Sequence, residues 1–151
     1  SKSAPEKAIE TWKMANTLFK ALTKRYSDRW KFVDFLGPNG RESAGIVDLL
    51  AIRKSSKQAF PKGLKKLDLF DIIVIQVKGG GARPPSEDDI RRLRTVAAHY
   101  QADKVVLFEW KKGFATNYYI SDESSQWRKS SGDAIFGKPR AAPKESTKLK
   151  F

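Results

Sequence analysis

Residues 45–53 read GIVDLLAIR and residues 70–78 read FDIIVIQVK. Each run is short, rich in β-branched side chains and ended by a polar or turn-forming stretch, the pattern of a strand covered on both faces. Ile46, Asp48, Leu50 and Ile52 share one face of the first strand, with Val47, Leu49 and Ala51 on the other. In the second, Ile72, Val74, Gln76 and Lys78 lie opposite Ile73, Ile75 and Val77. A buried strand has little use for an acid, an amide and an ammonium, yet Asp48, Gln76 and Lys78 interrupt these two. If the strands pair antiparallel with Ile52 facing Ile72, Asp48 faces Gln76 and Lys78 lies one same-face step further. A slip of one residue would put the groups on opposite faces.

Outward from this pair, residues 5–26 place Ile9, Trp12, Phe19, Leu22 and Tyr26 on one face of a helix, with Leu18 beside them and Lys13, Lys20 and Lys24 outside. WKFVDFL (30–36) predicts a strand, and GPNG (37–40) a turn. Residues 53–66 hold six basic residues and no acid, with Pro61 and Gly63, and read as an exposed loop. After Gly79-Gly80-Gly81 and Pro84-Pro85, Ser86 with Asp89 resembles a capping box opening a second helix. That helix has Ile90, Leu93, Ala97 and Tyr100 on its apolar face, and Glu87/Arg91 and Asp88/Arg92 at ion-pair spacing. KVVLFEW (104–110) is a fourth strand, joined to the third by a parallel crossover. Lys111-Lys112-Gly113 turns into a fifth strand over 114–120. The expectation is one α/β domain over residues 1–136, a mixed sheet flanked by helices, followed by a basic, disordered tail over 137–151.

The chain has 151 residues, a formal charge of +13 and a pI near 10, which points to a polyanionic partner. Nucleic acid ranks first, DNA before RNA, and an acidic membrane surface second. No apolar run is long enough to span a bilayer and none has the form of a signal peptide, so a cytoplasmic protein without a membrane partner is expected. Without cysteine, disulfides, thiolate catalysis and cysteine-type zinc sites are excluded, and one histidine cannot build a triad or a multi-histidine metal site.

The remaining chemistry belongs to carboxylates, amides and ammonium groups. A magnesium or manganese ion takes hard oxygen ligands and keeps several waters when the protein supplies only one or two. Asp48 offers a carboxylate, Gln76 an amide oxygen and Val77 a backbone carbonyl. Lys78 could orient the attacking water or offset charge on a phosphate. A further acid would strengthen so weakly charged a site: Glu42 is the first candidate, and Glu6 and Glu10 of the first helix are others. Arg53, Lys54, Lys57, Lys62, Lys65, Lys66 and Arg83 are candidate nucleic-acid contacts.

Asp48, an apolar strand, then Gln76-x-Lys78, flanked by an early helix and a following helix and strand, resembles the PD-(D/E)XK nuclease superfamily over residues 5–110. The resemblance implies a restriction endonuclease-like αβββαβ core and metal-dependent hydrolysis of DNA. Asp48 and Gln76 would hold the metal and Lys78 would assist hydrolysis; many members add an acid from the first helix. Ile46-Val47 replaces the proline that commonly precedes the aspartate. Gln76 replaces the usual acid, as in the Mrr-like branch, whereas the archaeal Holliday-junction resolvases and VRR-type nucleases are similar in size and element order but keep an acid there. A homodimer would fit nucleases that cut both strands. The alternatives are a non-catalytic nucleic-acid-binding module on the same fold and an interaction protein for an acidic partner.

Overall fold

The structure, a computed structural model, describes residues 4–38, 44–57, 61–79, 86–110, 117–121 and 126–140. In chain order these form α1 (Ala4–Tyr26), β1 (Lys31–Asp34), β2 (Leu49–Lys54), β3 (Phe70–Gly79), α2 (Glu87–His99), β4 (Lys104–Trp110), β5 (Asn117–Ser121), β6 (Trp127–Ser130) and α3 (Gly132–Phe136). The six strands make one sheet in sequence order; β3 and β4 run parallel and every other neighbouring pair is antiparallel. The αβββαβ order expected for the core is therefore the order the chain adopts, with a mixed sheet flanked by helices.

Strand alternation sorts the apolar side chains between two layers. Leu49, Ala51, Ile73, Ile75, Val106 and Phe108 pack with Ala15, Leu18, Leu22 and Tyr26 of α1. Val74 and Val105 pack on the other side with Leu93 and Ala97 of α2. Ser86 caps α2 as expected, its hydroxyl accepting from the Asp89 amide at 3.1 Å.

Several local expectations need correction. The buried face of α1 is rotated: Met14, Ala15, Leu18, Leu22 and Tyr26 are buried while Ile9 is exposed. Strand β1 is shorter than WKFVDFL, and β2 starts at Leu49, so Ile46, Val47 and Asp48 lead into it. The ion pairs on α2 form one residue closer than expected, Arg91 with Asp88 and Arg92 with Asp89. Strand β5 starts at Asn117, and the turn at Lys111-Lys112-Gly113 lies outside the described residues. Strand β6 and α3 were not anticipated. Ser131 caps α3, whose Ile135 and Phe136 enter the α1-side core. The Trp30 indole donates to the Phe136 carbonyl at 2.6 Å. Arg25 pairs with Asp133 at 3.0 Å and the Tyr26 hydroxyl donates to the same carboxylate at 2.6 Å, tying the end of α1 to α3. Past Gly137, the Arg140 amide donates to Asp28 at 2.7 Å; residues 141–151 lie outside the described residues.

Candidate functional site

β2 and β3 pair with Leu49 opposite Ile75 and Ile52 opposite Ile72, the register that buries both apolar runs. One step beyond Leu49 the pairing continues through Asp48. Its amide donates to the Ile75 carbonyl at 2.9 Å, and its carbonyl accepts from the Phe35 amide at 3.0 Å. Its side chain then takes over from the ladder: Oδ2 accepts the Val77 amide at 2.7 Å. The carboxylate is thus locked where the two strands part, opposite Gln76.

Asp48, Gln76, Val77 and Lys78 line one cavity of about 200 Å³. Thr11, Trp12 and Ala15 of α1 complete its wall. Two features hold α1 close. The Trp12 indole donates to the Gly37 carbonyl at 2.9 Å, pinning the chain after β1 against the helix. Gly79 ends β3 directly beneath Met14, where any Cβ would overlap the thioether methyl.

Gln76 lines the cavity, and its Oε1 is fully buried and accepts no hydrogen bond. Leaving a buried acceptor unmade costs about 1–3 kcal/mol, a penalty that a bound donor or cation would remove. A carboxylate and an unclaimed amide oxygen at one strand junction suit a hard divalent cation that retains waters. The donor set is sparse, however: no group of three His, Cys, Asp or Glu residues able to hold a metal occurs among the described residues.

Three of the candidates are brought together, Asp48, Gln76 and Lys78, with the Val77 backbone between the last two. Glu42 and Arg83 lie outside the described residues. Glu6 and Glu10 lie on α1 but do not line the cavity. Sequence reasoning passed over one acid at this end of the sheet: the parallel register sets Glu109 of β4 directly beside Lys78. Only the β3–β4 register could have shown it.

The basic loop is elsewhere. Arg53 and Lys54 end β2, five and six residues from Asp48 and so about 17 and about 20 Å along the strand. Arg53 is also internally engaged: it pairs with Asp71 at 3.0 Å and its guanidinium lies 4.0 Å from the Trp30 ring centroid. Lys57 bonds Asp103, which holds its ammonium above the usual range, and lies 3.5 Å from Asp71. Burial pushes the Asp71 carboxyl up, but hydrogen bonds from Arg53 and Ser55 and the charge of Lys57 outweigh it, and the net shift is downward. Lys54, Lys62, Lys65 and Lys66 are exposed, as is Lys57 despite its ion pairs.

No protein-family model and no curated protein matches the chain. Among solved structures it is similar to the Holliday junction resolvase Hjc of Archaeoglobus fulgidus, at 16% identity and a TM-score of 0.46, covering 83% of this chain and 97% of that one. No helix among the described residues is long and apolar enough to cross a membrane.

Proposed function

We propose that the chain is a metal-dependent DNA endonuclease whose reaction centre is the cavity at the parting of β2 and β3. The observation that carries this reading is the buried, unclaimed Gln76 Oε1 opposite a carboxylate that the Val77 amide holds in place. The charge of +13 supplies the attraction for a polyphosphate.

Asp48 would be the anchoring metal ligand, Gln76 Oε1 the second, and the Val77 carbonyl a third. Bound there, Mg²⁺ or Mn²⁺ would supply Lewis-acid charge and lower the pKa of a coordinated water. Lys78 would orient the attacking water or stabilise the negative charge that builds on the phosphate oxygens. Trp12 and Ala15 narrow the cavity and limit bulk water. Glu42, by its place in the sequence, and Glu109, by its register beside Lys78, are the candidates to raise the charge of the site, since an amide ligand leaves it one negative charge short of a two-carboxylate pair. A homodimer would present two such cavities to opposite strands; an apolar groove lined by Phe35, Val47, Leu50, Val74 and Tyr100 offers a face for it.

The sparse donor set favours one rival, a nucleic-acid-binding module on the same fold with no catalysis. Incubation of duplex, branched and single-stranded DNA with the chain, with and without Mg²⁺ or Mn²⁺, separates the two. Cation-dependent cutting is expected. Binding without cutting under either ion would replace the nuclease with the binding module, and failure to bind DNA or RNA at low salt would leave an interaction protein.

A further inference from the structure

The end of the molecule opposite the cavity carries a feature that phosphate chemistry does not use. Residues 61–70, PKGLKKLDLF, close the β2–β3 hairpin and hold Leu64, Leu67, Leu69 and Phe70 at 41, 47, 37 and 54% exposure. The segment is built to keep them there. The Leu67 amide donates to the Ser55 carbonyl at 3.1 Å and the Ser55 amide to the Leu69 carbonyl at 2.8 Å. The Lys65 amide donates to the Asp68 carboxylate at 2.7 Å, and the Asp68 amide returns a bond to the Lys65 carbonyl at 3.1 Å. Leu67 has φ of 76°, a left-handed conformation that costs a side chain with a Cβ and costs glycine nothing. The fold gains neither full burial nor a relaxed backbone from leucine at this position. Lys62, Lys65 and Lys66 are exposed among the same apolar residues.

We propose that this hairpin tip docks on an anionic lipid bilayer, its leucines and phenylalanine entering the interface and its lysines contacting the headgroups. A phosphodiester backbone would engage the lysines and give the apolar groups no return. A protein partner fits less well, because lysine is depleted in protein interfaces and leucine is under-represented among their hot spots. A bilayer surface rewards both at once: apolar side chains bury at the headgroup boundary while lysine stems snorkel to anionic phosphates. The docking revises the expectation of no membrane partner, which rested on spans and signal segments. The tip and the cavity lie at opposite ends of the β2–β3 pair, so bilayer contact leaves the cavity open, and the inference stands or falls independently of the nuclease reading.

Sedimentation of the full chain with phosphatidylcholine vesicles, with and without phosphatidylserine, tests it. Wild type is expected to bind the phosphatidylserine vesicles. The triple variant Leu64→Ser/Leu67→Gly/Phe70→Thr, which keeps every charge, is expected to bind about tenfold or more weakly, with unchanged DNA affinity at the same salt. Leu67→Gly alone reads the surface without loading the fold, because glycine adopts that conformation without strain; it is expected to weaken vesicle binding while melting as a folded protein. Absence of binding to phosphatidylserine vesicles, or equal binding by wild type and the triple variant, would overturn the proposal. Loss of DNA affinity in the triple variant would also overturn it, assigning the tip to nucleic acid.

Discussion

The Asp48 carboxylate accepts the Val77 backbone amide at 2.7 Å, so an acid side chain completes the β2–β3 ladder where a carbonyl would otherwise do so. This bond gives Asp48 two separable duties, closing the sheet and presenting a charge to the cavity. Asn at this position keeps an oxygen acceptor and removes the charge; Ala removes both. We expect Asp48→Asn to melt close to wild type and to lose DNA cleavage. Asp48→Ala should also lose about 1–3 kcal/mol of stability, because the Val77 amide is left unpaired. Denaturant unfolding and a cleavage assay check the pair, and an Asn variant that cuts at the wild-type rate would remove Asp48 from the chemistry.

Gln76 and Lys78 make contrasting predictions. Gln76→Glu sets a second carboxylate opposite Asp48, so Mn²⁺ should bind more tightly by calorimetric titration, while the metal-free protein loses stability through like-charge repulsion. Unchanged Mn²⁺ affinity would deny Gln76 a ligand role. Lys78→Ala should abolish cleavage and leave DNA affinity nearly intact, since Lys78 is one of 30 basic residues. A large drop in affinity with cleavage retained would make Lys78 a binding group.

How legible the site was in the sequence depends on the range of the interaction. Sequence puts Asp48 and Gln76 at the same end of two apolar strands, and period two says which residues share a face. A slip of two residues would keep those faces, so the register that sets the pair opposite each other comes from the fold. The α1 face is not readable in this way. Met14 and Ala15 are weaker apolar signals than Ile9, and they are buried because Gly79 lets the helix approach the end of β3. Strand β6 and α3 are too short to show periodicity, and α3 is held by Trp30 and Tyr26 from the far end of the chain. Arg53 reads as a free cation in a basic run, whereas Trp30 and Asp71 are brought to it only by the fold. Residue type showed where charge resides; tertiary pairing decided which of it faces outward.

Acid should loosen the α1–α3 seam. The Arg25 guanidinium holds the Asp133 carboxyl below its usual range, and the Tyr26 hydroxyl reinforces the shift against the smaller push of burial. A carboxyl whose folded pKa is depressed adds stability at pH values above its unfolded pKa, about 4. That contribution disappears as pH falls through the lower folded value. Asp71 is shifted in the same direction and adds to the effect. Wild type should therefore lose melting temperature steeply below about pH 4, and Asp133→Asn should start lower at neutral pH and fall less. Parallel pH profiles for the two proteins would show that Asp133 contributes nothing to acid sensitivity.

The contact between Gly79 and Met14 is the most direct link between packing and the cavity. A Cβ at residue 79 would overlap the Met14 methyl and lie 3.5 Å from the Thr11 hydroxyl, which lines the cavity. Gly79→Ala should therefore make the flexible Met14 thioether swing its methyl aside, at a cost of about 1 kcal/mol from an off-rotamer side chain. Met14→Ala empties the same space and, alone, loses apolar burial. Combined, the two substitutions should cost less than their sum, because the new methyl occupies room that the thioether vacated. Cleavage should follow the same cycle, reduced in Gly79→Ala and partly restored in the double variant, if the displaced Met14 side chain crowds the Thr11 wall of the cavity. Additive stabilities across the cycle would mean that residue 79 and Met14 do not press on each other, and that α1 is held over the cavity by Trp12 and Ala15 alone.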